Sequence, residues 1–397
     1  MASTTGVPPA RADFLVRYEL VKVLGEGTFG TVWSGRDRHK VRRREQVVKV
    51  AVKVVAHGGE DADLVRNEAE VHHKLFAGGG CSLLVRLLDA LFEDTQAMLV
   101  LELFEGEALS ARIDAAPQGR LSEAATAPIA RQLAAALSFM HAVHVAHLDV
   151  KPENILVGPE SSQRGVSPRM KLLDYGSARP MDRPDAPGAG ALGLVQDAGG
   201  TDRYMSPERL ALPSPRRWFG GAAADIYSLG IVVVHALLGV AAVEVLEAKA
   251  ATMGRAAEAA AAARTKASRA TGDAKAGALR LSHTMAKAAM AATAAAGSAA
   301  VQLEASHAGD VCLGSAAMDL LLSATRVEPS ERPAAAELLR HEWILERREL
   351  QRKDEGAHAQ EAQPPQPPKR CQDEVRRRMQ PSINLSKLEA ALPEHIS

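Results

Sequence analysis

The sequence contains few cysteines, carries no net charge and holds no long apolar run. Its three cysteines, Cys81, Cys312 and Cys371, lie far apart without a C-x-x-C pair, which argues against a zinc cluster or a disulfide framework. Lysine plus arginine and aspartate plus glutamate both number 48, so the net charge of zero gives no reason to expect a nucleic-acid or membrane partner. Residues 1–13 hold no apolar stretch of signal-peptide length, and no uninterrupted apolar run is long enough to span a bilayer. We therefore expect a protein of a reducing compartment, cytoplasmic or nuclear.

A glycine-rich motif follows the first strand-like segment. Residues 18–24 alternate as a strand does and lead directly into G-x-G-x-x-G-x-V over residues 25–32. A dinucleotide-binding loop has the same glycine spacing but opens a helix, whereas here the chain continues as a β-rich segment. We therefore predict a β-hairpin tip, at which Gly25, Gly27 and Gly30 let backbone N–H groups approach phosphate oxygens that a Cβ would obstruct.

A lysine lies inside the next apolar segment. Residues 46–55 are mostly apolar and β-branched, and they contain Lys53 in an Ala-Val-Lys context. An unpaired buried ammonium is costly, so Lys53 requires a carboxylate partner. Residues 62–76 place apolar side chains at helical spacing, with Glu68 among them on the same face. We predict a Lys53–Glu68 ion pair; the alternative is two ordinary surface charges.

The stretch His-Leu-Asp-Val-Lys-Pro-Glu-Asn-Ile-Leu, residues 147–156, carries the chemistry. It spaces a carboxylate at Asp149, an ammonium at Lys151 and an amide at Asn154. Phosphoryl transfer needs a carboxylate that orients a hydroxyl, a cation near the phosphoryl group and an oxygen ligand for a metal ion, because its catalysis is mostly positioning and electrostatics. A solvated turn is the alternative interpretation of the stretch alone. The stretch resembles the catalytic loop of eukaryotic protein kinases.

Further motifs of that family follow in the same order. Asp174-Tyr175-Gly176 resembles the family's D-F-G with Tyr in place of Phe, and Ser206-Pro207-Glu208 resembles its A-P-E. The resemblance implies that Asp225, at the start of an apolar helix, braces the catalytic loop. It also implies that Arg332 pairs with Glu208.

The resemblance covers about residues 18–345 of a chain whose 397 residues suffice for about two folding units. It implies an α+β, two-lobe protein kinase fold. The small, mostly β N-lobe would span residues 18–103 and include one key helix, and the larger, mostly α C-lobe would span residues 104–345.

The resemblance also implies the roles of single residues. Asp149 and Lys151 would be catalytic, Asn154 and Asp174 would bind Mg²⁺, and Leu101 would be the gatekeeper beside the adenine site. ATP would be bound by the glycine-rich tip, the lysine and its partner, the apolar residues around the base and the hinge backbone: Leu24, Gly25, Gly27, Gly30, Val32, Ala51, Lys53, Glu68, Glu102, Phe104 and Leu156.

Two functions remain open at this stage. Lys151, together with the Gly-Thr at residues 200–201, resembles the Ser/Thr branch of the family, which implies transfer of the γ-phosphoryl of Mg-ATP to Ser or Thr hydroxyls of a protein substrate. A pseudokinase scaffold that binds nucleotide or partners is the alternative, because Leu148, Tyr175, Ser206 and the whole region 241–310 depart from the family pattern. The polar catalytic residues are nevertheless all present, namely Lys53, Asp149, Asn154 and Asp174, which favours the active enzyme.

Three segments lie outside the resemblance. We expect a disordered leader over residues 1–17, an inserted Ala-rich arm of low complexity over about 241–310, and a flexible tail over 346–397. The tail contains Pro-Pro-Gln-Pro-Pro at residues 364–368, a stiff spacer or a weak ligand for proline-reading modules.

Leu148 predicts how the chain is regulated. In many kinases the residue before the catalytic aspartate is arginine, which pairs with a phosphorylated activation segment. Leucine cannot form that pair, so we expect it to pack against apolar neighbours. Catalytic competence should then not require phosphorylation between Tyr175 and Ser206, and control would lie in expression, partners or the arm at 241–310. The alternative is that another arginine, such as Arg179 or Arg203, takes the place of the missing one.

Overall fold

The computed structural model describes residues 12–27, 30–42, 46–56, 61–93, 95–160, 166–181, 194–196, 199–210, 218–248, 250 and 313–345. These residues form a small sheet-based lobe followed by a larger helical lobe. The predicted α+β two-lobe architecture is therefore confirmed. The predicted tail at 346–397, its proline segment and most of the predicted arm lie outside the described residues.

The N-lobe is an antiparallel five-stranded sheet in the order β1-β2-β3-β5-β4. Alternating and β-branched residues form these strands because one face packs on the core. A helix of sixteen residues packs on that face through Val65, which belongs to one buried cluster with Val55, Ala97 and Leu99. The elements are α1 (Ala12–Arg17), β1 (Tyr18–Gly27), β2 (Gly30–Arg42), β3 (Gln46–Ala56), α2 (Asp61–Phe76), β4 (Leu87–Phe92) and β5 (Gln96–Glu102).

The glycine-rich motif is the predicted hairpin tip. Strands β1 and β2 pair antiparallel as far as Gly27 opposite Gly30. Gly30 has a φ of 119°, and a Cβ there would lie 2.1 Å from the carbonyl oxygen of Val54 on β3. Only glycine fits this close approach, so the tip rests directly on the neighbouring strand.

The predicted leader is wrong at its C-terminal end. Residues 12–17 form α1, and Phe14 packs on Tyr18 with ring centroids 4.8 Å apart. Arg17 donates hydrogen bonds to Asp37 at 3.2 and 3.3 Å and to Asp89 at 2.8 Å. A six-residue helix is too short to show an apolar period in the sequence, and these contacts to the sheet hold it in place.

The C-lobe is mainly helical. Its helices are α3 (Leu109–Ala115), α4 (Glu123–Ala142), α5 (Pro207–Leu210), α6 (Gly221–Leu238), α7 (residues 240–248), α8 (Ser315–Ala324) and α9 (Ala335–Leu338). Its short strands are β6 (Glu107–Ala108), β7 (Val145–Ala146), β8 (Ile155–Val157), β9 (Met170–Leu172), β10 (Arg179–Pro180), β11 (Leu194–Gln196) and β12 (Trp218–Gly220). They pair as β6-β8-β9, β7-β10 and β11-β12.

Helix α6 is the centre of the C-lobe. By length and composition it is apolar enough to cross a membrane, but 89% of it is buried inside the fold. It packs with α4, whose first turn is capped by the Ser122 hydroxyl accepting from the Ala125 N–H at 3.2 Å. The burial identifies α6 as a core helix.

The predicted start of the Ala-rich arm, residue 241, lies too early in the chain. Residues 240–248 form α7, in which Ala242 and Val243 are 3% and 0% exposed and belong to the main core. Leu246 follows at helical spacing on the same face. The alanine-rich composition hid this short apolar stripe, so the start at residue 241 is wrong. Residues 251–310 lie outside the described residues.

The predicted Glu208–Arg332 pair is present. Two guanidinium nitrogens of Arg332 each donate to one carboxylate oxygen of Glu208 at 2.7 Å, and one also donates to the Ala223 carbonyl at 2.9 Å. The Arg332 side chain is fully buried. This bidentate pair ties the start of α5 to the residues before α9 and to α6.

Candidate active site

Helix α6 holds the stretch of residues 147–156 in place through Asp225. The buried Asp225 carboxylate accepts the backbone N–H groups of His147 and Leu148, both at 2.8 Å, and contacts His141 Nε2 at 2.9 Å. Burial works to raise the pKa of Asp225, but these hydrogen bonds and the nearby histidines outweigh it, so the pKa lies below its ordinary value. An ionised Asp225 therefore fixes the backbone just before Asp149.

The predicted catalytic residues lie together with Thr201, which the sequence did not place in the site. Asp149 Oδ2 lies 2.8 Å from Lys151 Nζ and accepts from Asn154 Nδ2 at 3.1 Å. Asp149 Oδ1 accepts from the Thr201 N–H at 3.0 Å and from the Thr201 hydroxyl at 2.9 Å. Lys151 also donates to the Thr201 hydroxyl at 2.7 Å. The sequence offered Thr201 only as a subfamily marker, because a contact across 52 residues has no local signal.

The predicted Lys53–Glu68 pair is confirmed and is part of a larger cluster. Lys53 Nζ lies 2.9 and 3.1 Å from the two oxygens of Glu68 and 3.0 Å from Asp174 Oδ1. Burial works to lower the pKa of Lys53, but the two carboxylates outweigh it and raise the pKa. Burial raises the pKa of Glu68 against the effect of Lys53. The cluster joins β3, α2 and the Asp174-Tyr175-Gly176 motif around one cation.

Two residues of the site have strained backbones. Leu148 and Asp174 have φ values of 65° and 60°, in a region that side chains other than glycine seldom adopt. The Asp225 contact and the Lys53 contact hold the two residues there. Burial works to raise the pKa of Asp174, but Lys53 and hydrogen bonding outweigh it, so the pKa lies below its ordinary value and the carboxylate is ionised at neutral pH.

The Tyr175 hydroxyl has partners. Tyr175 is fully buried, and its oxygen lies 3.2 Å from the carbonyl oxygens of both Val85 and Leu172. Its ring meets the edges of His72 and His147, with centroids 4.6 and 5.7 Å apart. Tyrosine therefore replaces the family's phenylalanine without leaving a buried donor unpaired.

His72 gives the fold a predictable sensitivity to acid. The ring is 2% exposed, and neither ring nitrogen has a hydrogen-bond partner among the described residues. Burial, followed by the Lys53 charge, lowers the pKa of His72 to about 3. Below the unfolded pKa of about 6.5 the unfolded chain binds a proton that the folded chain excludes, so stability is lost as pH falls through that value.

We expect the free energy of unfolding to fall by roughly 1 kcal/mol between pH 7.5 and 5.5 through His72 alone. Urea denaturation of the wild type and of His72→Leu at both pH values measures this, because every other group titrates in both proteins. The variant should lose less stability than the wild type on acidification. Equal losses in the two proteins would show that His72 is not the titrating group.

The residues predicted to bind nucleotide lie mainly on strands of the two lobes. Leu24, Gly25, Gly27, Gly30 and Val32 lie on the β1–β2 hairpin, Ala51 and Lys53 on β3, Glu102 at the end of β5 and Leu156 on β8. Val32 pairs opposite Lys53, and Ala51 pairs opposite Leu101. A Cβ at Gly25 would have no described atom within 4 Å, so space lies beside the tip.

At the predicted hinge, residues 102–104, the side chains of Glu102 and Phe104 contact other parts of the protein. The Glu102 carboxylate accepts from Lys171 on β9 and from the Arg86 N–H at 3.0 Å. The Phe104 ring lies against Gly106, where a Cβ would come within 2.9 Å of it. Both side chains are therefore engaged with protein, and the Glu102 N–H donates to the Arg86 carbonyl at 2.9 Å. The Glu102 carbonyl and the Phe104 backbone stay the predicted adenine contacts. The sequence interpretation missed Lys171.

The predicted Mg²⁺ ligands suit that ion. Asn154 uses its side-chain N–H group on Asp149, which leaves its amide oxygen as the atom that can bind a metal. Asp174 contributes an ionised carboxylate. Two hard oxygen donors are a typical protein share of a Mg²⁺ site that phosphate oxygens and water complete.

Comparison with known proteins identifies related chains. The family model described as "Protein kinase domain" matches residues 18–344. The rice (Oryza sativa subsp. japonica) protein named CBL-interacting protein kinase 19 is 32% identical over 247 residues, which is 60% of this chain and 42% of that protein. The rice CBL-interacting protein kinase 4 is 34% identical over 57% of this chain and 45% of its own length. Serine/threonine-protein kinase 36 of Pongo abelii is 29% identical over 56% of this chain and 15% of its own length. The chain thus spans less than half the length of these curated relatives.

Proposed function

Because this chain belongs to the protein kinase family, we propose that it is a serine/threonine kinase that transfers the γ-phosphoryl group of Mg-ATP to hydroxyls of protein substrates. The observation that carries the proposal is the assembled polar site. Asp149, Lys151, Asn154 and Thr201 form one hydrogen-bonded group.

Each residue has a task in this mechanism. Asp149 orients the acceptor hydroxyl of the substrate and takes its proton, while Lys151 stabilises charge on the transferring phosphoryl group. Lys53 binds the α- and β-phosphates of ATP, and the Glu68 carboxylate at 2.9 Å holds Lys53 toward them. The β1–β2 hairpin covers the phosphates with its backbone N–H groups.

Asn154 and Asp174 would hold the metal. Bound there, Mg²⁺ would supply positive charge that offsets the negative charge of the phosphates. The contact of Asp174 with Lys53 at 3.0 Å keeps the metal ligand next to the phosphate-binding cation. Positioning and electrostatics then provide the rate enhancement, as phosphoryl transfer requires.

The Thr201–Lys151 contact supports Ser and Thr as acceptors. Thr201 and Lys151 both contact Asp149, so a residue of the activation segment helps to position the carboxylate that would orient the acceptor hydroxyl.

Loss of a polar catalytic residue would support the alternative function, a scaffold without catalysis. The four polar residues expected of an active kinase are all present, namely Lys53, Asp149, Asn154 and Asp174. Lys53 contacts Asp174, and Asn154 contacts Asp149, which supports the active enzyme.

The test is phosphotransfer from radiolabelled ATP to a mixture of generic protein substrates, with Mg²⁺ and with excess EDTA. We expect label on the substrates with Mg²⁺ and none with EDTA. Phosphoamino-acid analysis should find phosphoserine and phosphothreonine. Label on tyrosine would refute the acceptor assignment, and absence of transfer would refute the kinase activity.

A further inference from the structure

Arg209 has no role in the mechanism above, yet it is almost completely buried beside the catalytic loop. It lies in α5 directly after the Ser-Pro-Glu motif and is 3% exposed. Its Nη1 donates to the Leu148 carbonyl at 2.7 Å, and its Nη2 donates to the Gly199 carbonyl. Its guanidinium also lies 5.2 Å over the Phe219 ring. One cation therefore joins two separate backbone segments.

Those two segments carry the two ends of one catalytic contact. Leu148 directly precedes Asp149, and Gly199 stands two residues before Thr201. Thr201 donates both its N–H and its hydroxyl to Asp149 Oδ1, at 3.0 and 2.9 Å. The guanidinium binds both carbonyls and so holds together the two backbone segments that carry Thr201 and Asp149.

Gly200 permits this close approach. Its φ is 143°, and a Cβ there would lie 2.9 Å from the Leu148 carbonyl oxygen and 3.2 Å from Arg209 Nη2. A side chain would therefore separate the two segments. Glycine at this position lets the Thr201 backbone reach the catalytic loop.

An apolar cluster replaces the charge that position 148 lacks. Leu148 is 2% exposed and packs with Met181, Val195 and Phe219. Val195 and Phe219 face each other across the β11–β12 pairing. The packing predicted for Leu148 is therefore confirmed, and the cluster joins the catalytic loop to β11 and β12 beside Arg209.

We propose that Arg209 is a positioning residue that holds Thr201 against Asp149 by binding the carbonyls of Leu148 and Gly199. A guanidinium suits this task because its planar fork donates in two fixed directions and it stays charged when buried. The proposal rests on the proposed function, since it assigns Arg209 a part in phosphoryl transfer. Arg209 acts through Thr201 and touches neither substrate.

The test compares Arg209→Met, which keeps an apolar side chain over Phe219 but has no donor, with the wild type. We expect kcat for a peptide substrate to fall by up to about 10²-fold, the scale of a 1 Å misplacement, with the Kd for Mg-ATP unchanged. Arg209→Lys, with one ammonium for two carbonyls, should lie between them. Arg203→Met is the matched control, because Arg203 lies in the same segment but pairs with Glu244 and Glu247 at 3.5 and 3.4 Å on the surface.

A double-mutant cycle separates positioning from a merely structural role. In a Thr201→Val background, Arg209→Met should cost far less kcat than in the wild type, because the contact that it supports is already gone. Arg209→Lys replaces it in the cycle if Arg209→Met does not fold.

Equal costs in both backgrounds, wild-type kcat in Arg209→Met, or an equal loss in Arg203→Met would each overturn the proposal. An inactive wild type would instead refute the proposed function.

Discussion

Asp149→Asn is expected to lower kcat by about 10²–10⁴-fold, the range typical of a positioned general base. The asparagine amide keeps the size of the side chain but cannot take the proton of the acceptor hydroxyl. It also turns one of the two acceptor oxygens into a donor, facing either Thr201 or the cationic Lys151. The nucleotide pocket is untouched, so the Kd for Mg-ATP should change by less than about twofold.

Steady-state kinetics and nucleotide binding on the same preparation measure both quantities. Asp319→Asn is the matched control, since that carboxylate is 78% exposed on α8 and contacts His341 at 3.1 Å. It should match the wild type. Retention of wild-type kcat by Asp149→Asn would remove the general base from the mechanism.

Lys53→Met should lower kcat by about 10²–10³-fold and also weaken the fold. It removes the cation proposed to bind the ATP phosphates, and loss of one such electrostatic contact costs about 10²–10³-fold in kcat. It also leaves Glu68, 3% exposed, without its cation. Breaking a buried pair by removing one partner typically costs about 3–5 kcal/mol of stability.

A second variant separates these two effects. Replacing both partners, as Lys53→Met/Glu68→Met, removes the more deeply buried of the two charges that Lys53 compensates and should restore part of the Tm, because apolar side chains of similar volume replace a buried pair at little cost. Asp174, whose side chain is 28% exposed, still loses its cation, so the recovery should be incomplete. Activity should not return. Lys49→Met on the same strand is the control, since Lys49 is 68% exposed and pairs only with the exposed Glu105 among the described residues. Return of activity in the double variant would show that Lys53 acts only through stability.

The sequence predicted the parts of the site that depend on local spacing. The hairpin tip followed from three glycines between two β-rich runs, and the Lys53–Glu68 pair followed from a lysine in an apolar strand and a glutamate on an apolar helix face. Such arguments work because a strand and a helix fix which side chains share a face. The nucleotide and metal roles of these residues stay predictions.

The remaining contacts join distant positions and have no local pattern. Thr201 meets Asp149 across 52 residues, and Arg209 reaches Leu148 across 61. Lys171 reaches Glu102 across 69 residues. Only the fold brings these pairs together. The errors at residues 12–17 and 241–248 have a different cause, because helices of one or two turns are stabilised by packing and show little periodicity in the sequence.

We expect this chain to be an active phosphotransferase that needs no phosphate on its activation segment. The most direct measurement is kcat/KM for a peptide substrate, using protein made in a host without protein kinases and treated with phosphatase. We predict the same value before and after treatment, far above that of Asp149→Asn. Transfer no greater than that of Asp149→Asn, restored only when phosphate is added between Tyr175 and Ser206, would contradict this expectation.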